Sequence, residues 1–528
     1  MKRRTFTALC GAGSLLPGMS SAAGRPKRRQ PNILFVFADQ LRRMELGCYG
    51  GIQVHTPNLD RLAREGVCFS NACSTYPVCS PFRGMLMSGN FPMKNGMVAN
   101  DHFLRNSTPY FAEVLRQDGY RTGYIGKWHI DGGGRKAYIP PERRRGFDFW
   151  RVLECTHDYF KSEYYRQDDK TVSRWQGYDT LSQTKCACDF VQDGKNEDSP
   201  FCLFVSWGPP HSPYVAPEEY MKRFDPAAIK LRKNTADFFS AEKMMAECDT
   251  KLPEAREKAR RSYQPKMMDR ENKAIREWHR GYYAAIEVLD DCIGELLRAL
   301  ESSGQLDDTI IVFTSDHGDN LGSHRQYGKQ LPYEESIGIP FLIRYPEKIR
   351  PGTCTDALLS PVDIMPTILS LAGAACPSVD GKDISGAAMG QDEDMQDALL
   401  IMRMAWLGTN WITNGSGPWR GVRTKQYTYA RKSDTQMPWM LFDNMADPYQ
   451  MNNLVSDPKY ADLIIMLNEE TDRLLAAAGD PEDPAKIARQ IYAERKEHGR
   501  PMDWDVLIPE KIEPGSGFQS LEKNRSKS

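Results

Sequence analysis

Cys79-Ser80-Pro81-Phe82-Arg83 places a thiol, a proline and a guanidinium within one turn. Proline suits the first turn of a helix, so the cysteine and the arginine fall at a helix N-terminus. That end carries unpaired N–H groups and partial positive charge, which suits an oxyanion. A buried cysteine beside a salt-bridged arginine accounts for the same five residues equally well. Four other short clusters bear on the choice. Asp39-Gln40 follows an apolar run, and an acid beside an amide oxygen suits a hard divalent cation. Asp316-His317 follows another such run and makes a second candidate metal pair. Lys127 and His129 lie two apart on a segment read as extended, so both side chains are expected on one side, within reach of one anion. His211 stands between Pro209-Pro210 and Pro213, which present it with little entropy to lose.

The elements that must position these groups are visible in the apolar pattern. Asn32–Ala38, Phe201–Trp207 and Thr309–Ser315 are short, continuous, branched and aromatic runs, as expected of buried central strands in a parallel sheet. Open α/β sheets bind ligands beyond the carboxyl ends of such strands, where Asp39, His211 and Asp316 fall. Residues 56–66 and 109–118 read as helices, with Pro57 and Pro109 near their starts and Thr108 as a cap. Tyr282–Leu300 carries an apolar stripe of Ile286, Leu289, Ile293, Leu296 and Leu297. Val67–Phe69 and Phe341–Pro346 read as further strands, and Ser360–Thr367 opens a helix. Residues 131–200 read as loops that build a pocket, with Asn100, His102, His157 and Asp158 as candidate sugar contacts. Residues 225–280 read as a peripheral helical insertion. Asp380–Asp397 reads as a linker, followed by short alternating strands over 421–429 and 440–443 and a helix over 459–477.

His55-Thr56-Pro57-Asn58-Leu59-Asp60-Arg61-Leu62, the Cys79–Arg83 motif, Gly126-Lys127-Trp128-His129, Pro209-Pro210-His211 and Asp316-His317-Gly318-Asp319 with Lys329 occur in that order. Together they resemble the formylglycine-dependent sulfatases, over roughly residues 31–475. The resemblance implies an α/β fold: a large, mostly parallel sheet sandwiched by helices, with a smaller C-terminal antiparallel sheet and helix. The expected organisation is an export signal at 1–24, a catalytic domain at 31–380, a C-terminal subdomain at 395–480 and a surface tail at 481–528. Phe82 and Gln40 stand where the family usually has a small residue and a second aspartate. His317 replaces the commoner asparagine.

In that family the motif cysteine is oxidised to an aldehyde, 3-oxoalanine or formylglycine, by a formylglycine-generating or an anaerobic maturating enzyme. One hydroxyl of the hydrated aldehyde attacks sulfur, and the second is later deprotonated to expel sulfate. The resemblance therefore implies that Asp39, Gln40, Asp316 and His317, with residue 79, hold one divalent ion. Calcium is expected, with magnesium or manganese as alternatives. Arg83 would stabilise the hydrate, and Lys127 and Lys329 would bind sulfate oxygens. His129 would take the proton from the second hydroxyl, and His211 would protonate the departing alkoxide. The expected activity is hydrolysis of sulfate esters of saccharides, from glycosaminoglycans or algal polysaccharides. A phosphonate or phosphate monoester hydrolase and an inactive sulfated-glycan-binding relative are the rival readings.

The 528 residues hold 69 Lys and Arg against 70 Asp and Glu, a balance that asks for neither nucleic acid nor an anionic membrane. Mean hydropathy is −0.57, and no apolar run approaches the roughly 20 residues of a membrane span. Lys2-Arg3-Arg4, an apolar stretch through Leu16 and small residues at 21–23 read as an export signal, of the twin-arginine or the general secretory kind. Export to the periplasm, the cell surface or the medium follows. Thirteen cysteines without a C-x-x-C pair exclude a zinc framework. Pairing among Cys48, Cys68 and Cys73 is open in an oxidising compartment, and Cys186-x-Cys188 reads as a strand-edge coincidence.

Overall fold

A computed structural model describes residues 30–105, 108–194, 197–236, 265–391, 396–404 and 417–497. The expected export signal, half of the 225–280 insertion and residues 498–528 lie outside the described residues. Ten strands form one large sheet: β1 (Asn32–Asp39), β2 (Val67–Ala72), β3 (Arg121–Lys127), β4 (Phe149–Leu153), β5 (Glu163–Arg166), β6 (Asp169–Arg174), β7 (Phe201–Pro210), β8 (Thr309–Ser315), β9 (Phe341–Arg344) and β10 (Thr353–Leu359). Their order is β10-β2-β9-β8-β1-β7-β3-β4-β5-β6. The central block β8-β1-β7-β3-β4 is parallel throughout, while β9 and β5 run against their neighbours. The sheet is thus mostly parallel, and helices cover both faces.

β1 shows why. Its eight residues are all buried, and alternate side chains feed opposite cores. Ile33, Phe35 and Phe37 join Phe82 and Leu86 of α2 (Cys79–Ser88) and Ile364 and Ile368 of α6 (Pro361–Ala372). Leu34, Val36 and Ala38 join Leu59 and Leu62 of α1 (Pro57–Glu65), Phe190 of α4 (Asp179–Asp193) and Ile286, Leu289 and Ile293 of α5 (Pro265–Ser302). Each of these larger side chains contributes about 1.5–3 kcal/mol by burial, so the double-sided run fixes β1 at the centre of the sheet.

Several boundaries differ from expectation. α3 (Phe111–Gln117) starts two residues later than the proline implied; Glu113 Oε2 accepts from the Tyr110 N–H at 2.9 Å and caps it there. α5 extends back to Pro265 because only Gly281 interrupts the helix-forming residues between Pro265 and Tyr282. Residues 131–200 contain β4, β5, β6 and α4 as well as loops. Cys186 and Cys188 lie on α4, so they belong to a helix and not to a strand edge. Pairing among Cys48, Cys68 and Cys73, left open by the sequence, does not occur; all three are free thiols.

The smaller sheet orders β11 (Ala398–Arg403), β12 (Trp419–Thr424), β13 (Tyr427–Lys432) and β14 (Pro438–Asp443) antiparallel, with α7 (Ala461–Ala478) against it. Residues 484–497 form α8 (Pro484–Glu497), whose Ile487 and Ile491 are buried with Tyr76 and Val98. No helix among the described residues is long and apolar enough to cross a membrane.

Candidate active site

The carboxyl ends of β1, β3, β7 and β8 converge with the N-terminus of α2. Asp39 ends β1, Lys127 ends β3, His211 follows β7, and Asp316 and His317 follow β8. Cys79 is the first residue of α2 and is buried. Ligand atoms of Asp39, Cys79, Asp316 and His317 all lie within 4.8 Å of one another. Cys79 Sγ is 3.3 Å from His317 Nε2 and 3.7 Å from Asp39 Oδ1. His317 Nδ1 faces the Gly318 carbonyl at 2.9 Å; a carbonyl only accepts, so the proton sits on Nδ1. Nε2 therefore turns a lone pair toward the carboxylates, the tautomer a metal ligand needs. Burial, with help from Lys329, holds this imidazole down at about 4, so it is neutral near pH 7.

Three buried cations balance this cluster. Arg83 donates to Asp39 Oδ2 at 3.3 Å, to Asp316 Oδ2 at 3.0 Å, and to Ser206 Oγ and the Lys127 carbonyl at 2.7 Å each. Its donors thus face the carboxylates from behind. Lys127 Nζ meets Asp39 Oδ2 at 2.5 Å. Lys329 Nζ spans Gln40 Oε1 at 2.8 Å and Cys79 Sγ at 3.2 Å. Burial pushes the Asp39 carboxyl up, but Lys127, His211, Lys329 and Arg83 together hold it well below the usual range. For the Cys79 thiol, burial and Asp39 act upward, and Lys127 and Lys329 bring it below its ordinary value.

Lys127 and His129 do not share the geometry expected of an extended segment. The strand ends at Lys127, and His129 adopts φ of +60°. Between them, Trp128 is buried edge-on against Tyr124 and Trp150, with ring centroids 4.9 and 5.1 Å away. This anchor fixes the two side chains on different partners. His129 Nε2 donates to Asp101 Oδ1 at 3.1 Å, and its buried Nδ1 has no hydrogen-bond partner among the described residues. Asp101 also accepts two bonds from Arg135, at 3.1 and 3.0 Å. Burial raises the Asp101 carboxyl, but His129 and Arg135 outweigh it and hold the group ionised. Gly126 is required here: it has φ of +103°, and a Cβ would lie 2.0 Å from the Ser206 carbonyl on β7.

His211 is held on three sides. Its Nδ1 donates to the Ser212 carbonyl at 2.7 Å, its own carbonyl accepts from Tyr159 Oη at 2.8 Å, and His157 stacks on its ring at 4.3 Å and 4°. Burial and then Lys329 keep the His211 imidazole well below its ordinary value, and burial brings His157 to about 3.

Of the four candidate sugar contacts, His157 alone joins the groups described above. Asn100 Oδ1 accepts from the Ser80 N–H at 3.0 Å and so satisfies an orphan donor of α2. His102 faces Glu494 of α8, and Asp158 accepts from the Lys161 N–H in an exposed turn. Sequence reasoning missed Asp101, Arg135 and Ser206, which no spacing links to their partners.

The sulfatase family model matches residues 31–374, and a model of the C-terminal part of N-sulphoglucosamine sulphohydrolase matches residues 322–477. The chain belongs to the sulfatase family. It is a sulfuric ester hydrolase by that membership. An ulvan-active sulfatase of Formosa agariphila is 37% identical over 457 residues, which cover 85% of this chain and 82% of that one. An endo-4-O-sulfatase of Bacteroides thetaiotaomicron is 30% identical, covering 87% of this sulfatase and 94% of its own length. A solved structure in complex with its substrate D-glucosamine-2-N,6-O-disulfate superposes with a TM-score of 0.73 at 26% identity, over 86% of this chain and 99% of that one.

Proposed function

We propose that this sulfatase hydrolyses sulfate esters of saccharides, glycosaminoglycan or algal polysaccharide fragments, with formylglycine made from Cys79 as the nucleophile. The observation that carries the reading is the meeting of Cys79 Sγ with His317 Nε2 at 3.3 Å and Lys329 Nζ at 3.2 Å, inside a buried acidic cluster. The saccharide class is supported by the ulvan-active and endo-4-O-sulfatase relatives and by the glucosamine disulfate complex. The basic, apolar N-terminus supports export to the periplasm, cell surface or medium. The catalytic unit is assigned to residues 31–380 and the C-terminal unit to 395–480. A maturating enzyme that oxidises Cys79 is the required protein partner.

The donor set fits a hard divalent cation: two carboxylates, a neutral imidazole nitrogen and the Gln40 amide oxygen, with residue 79 completing it. Calcium suits the oxygen ligands, and His317 also accommodates manganese. Bound there, the ion supplies Lewis-acid polarisation of the sulfate and of the nucleophile. Oxidised and hydrated, residue 79 supplies an oxygen nucleophile; a thiol would end as a thiosulfate ester without an easy exit. The other residues then divide the work. Lys127 and Lys329 receive sulfate oxygens as point charges. Arg83 acts through the carboxylates, holding Asp39 and Asp316 from behind. His129 Nδ1, oriented by Asp101, takes the proton whose removal releases sulfate. His211 Nε2 gives a proton to the leaving alkoxide, having gained it as the anionic substrate enters beside it.

Peptide mass spectrometry across Cys79, on protein made with a maturating enzyme, tests the reading. Exchange of sulfur and two hydrogens for one oxygen lowers the mass by about 18 Da, as needed to convert this nucleophile precursor. The same sample is assayed on sulfated saccharides and one phosphonate monoester. The mass loss with sulfate release is expected. Turnover of the phosphonate alone, or an unmodified thiol with saccharide binding retained, overturns it.

A further inference from the structure

Asp319 is fully buried beside the cluster, and no step above uses it. Its Oδ2 accepts from Gln40 Nε2 and from Tyr214 Oη, each at 2.6 Å, and its Oδ1 accepts from the Leu321 N–H at 2.9 Å. On the other side of the Gln40 amide, Lys329 Nζ lies 2.8 Å from Oε1. A carboxylate only accepts, and an ammonium only donates. Those two partners therefore settle which end of the amide is which. The nitrogen must face Asp319, and the oxygen must face Lys329 and the Cys79 side of the site. The main chain of Gln40 is fixed as well: its N–H donates to Asp316 Oδ1 at 3.0 Å, and its carbonyl accepts from Tyr282 Oη at 2.7 Å.

We infer that Asp319 is a positioning residue that sets the direction of the Gln40 amide, so that an oxygen and not an NH2 group is offered to the divalent cation. A second aspartate at position 40 would need no such device, because both of its terminal atoms are oxygens. A glutamine ligand must be oriented, and a flipped amide would aim two N–H donors at a cation. Tyr214, which follows the His211 loop, shares the same Asp319 oxygen and keeps the carboxylate from turning away. The inference rests on the cation site proposed above.

The test is calorimetric titration of calcium, and separately manganese, into chelator-treated full-length protein, with residue 79 in one state throughout. Asp319→Asn lets either end of the Gln40 amide face residue 319, and the affinity is expected to fall about tenfold or more, as when an oriented ligand loses its outer partner. Gln40→Glu combined with Asp319→Asn should recover most of the loss, because a carboxylate offers an oxygen either way and residue 319 can now donate to it. Melting of the cation-free proteins separates these effects from misfolding. If Asp319→Asn does not fold, the double variant alone decides: it must fold and bind within threefold of wild type. Wild-type affinity in Asp319→Asn, or a double variant no better than Asp319→Asn, overturns the inference while leaving the cation site standing. A wild-type protein that binds neither ion removes the site itself.

Discussion

Replacing Asp101 by Asn tests the assignment of His129 as the base. The carboxylate takes one bond from His129 Nε2 and two from Arg135. Asparagine keeps the shape but has only one acceptor end. If its oxygen faces His129, its NH2 group opposes the Arg135 donor. If its oxygen faces Arg135, its NH2 group donates to His129 Nε2, and the imidazole proton must move to Nδ1. That removes the lone pair proposed to accept the substrate-derived proton. Either way the imidazolium formed on proton uptake loses a carboxylate at 3.1 Å. Two unit charges at about 4 Å and an effective dielectric near 20 interact by about 4 kcal/mol, an upper bound here because Arg135 shares the carboxylate. At about 1.36 kcal/mol per decade, this places the loss in kcat at about 10²–10³-fold, within the span of general base catalysis. KM for a sulfated saccharide should stay within threefold, since Asp101 does not receive the sulfate, and Asp101→Glu should recover part of kcat. The assay is sulfate release by matured protein under saturating substrate. A kcat within fivefold of wild type, or a loss carried by KM alone, would refute the role of the Asp101–His129 pair.

Three further outcomes follow from the same geometry. His279 is buried, with Nδ1 donating to the Ile275 carbonyl and Nε2 accepting from Arg42, and burial followed by Arg42 holds it down at about 3. Between that value and the ordinary 6.5 the unfolded chain binds a proton that the folded chain refuses. This share of stability is therefore complete above about pH 6.5 and is lost as pH falls, by about 1.4 kcal/mol per unit; denaturation of His279→Gln should show a correspondingly flatter pH slope. Gly126→Ala drives a Cβ to 2.0 Å from the Ser206 carbonyl, so β3 must part from β7, and soluble yield and activity should both collapse. Chelation should abolish turnover and, for a cation held at a hundredfold its Kd, remove about 2.7 kcal/mol, which lowers the Tm of a chain this long by about 2–3 °C; an unchanged Tm and rate would argue against the cation.

The sequence exposed those parts of the site that sit at the ends of unmistakable strands. Asn32–Ala38, Phe201–Trp207 and Thr309–Ser315 are apolar on both faces because both faces are covered, so the polar residue after each one marks the sheet edge. β6 shows the opposite limit. Asp169–Arg174 is almost wholly exposed at the rim of the sheet, with no apolar alternation to read, and so it passed as loop. Contacts across sequence were equally silent. Asp101 meets His129 through folding, and nothing in the stretch Ala99–His102 marks that aspartate. Orientation was also beyond reach: Cys-x-Pro-x-Arg placed Arg83 near Cys79, but only the fold shows its Nη donors committed to Asp39, Asp316, Ser206 and the Lys127 carbonyl, with Nε left without a partner among the described residues.

The charges of the site bear on which state of the reaction it favours. Arg83 and Lys127 face the carboxylates of Asp39 and Asp316, Lys329 faces Gln40 and Cys79, and Asp319 holds the far end of Gln40, while His317 and His211 are neutral, so these protein groups balance. Gln40 adds no charge, where a second aspartate would make the sum negative. A bound divalent ion would bring it to plus two. A sulfate monoester brings one negative charge, but deprotonating the proposed hydroxyl nucleophile at residue 79 and releasing sulfate bring more. Buried cations that are only partly neutralised by the substrate stabilise the later, more negative states further, and the difference between those two degrees of stabilisation is what lowers the barrier. Burial of all three cations keeps water from erasing that difference. Arg83 contributes even though its Nη donors are committed, because by holding Asp39 and Asp316 it shares their charge with Lys127. In the roles proposed for them, the two lysines exchange an internal partner for a sulfate oxygen, which an arginine bound bidentately could do only at greater cost.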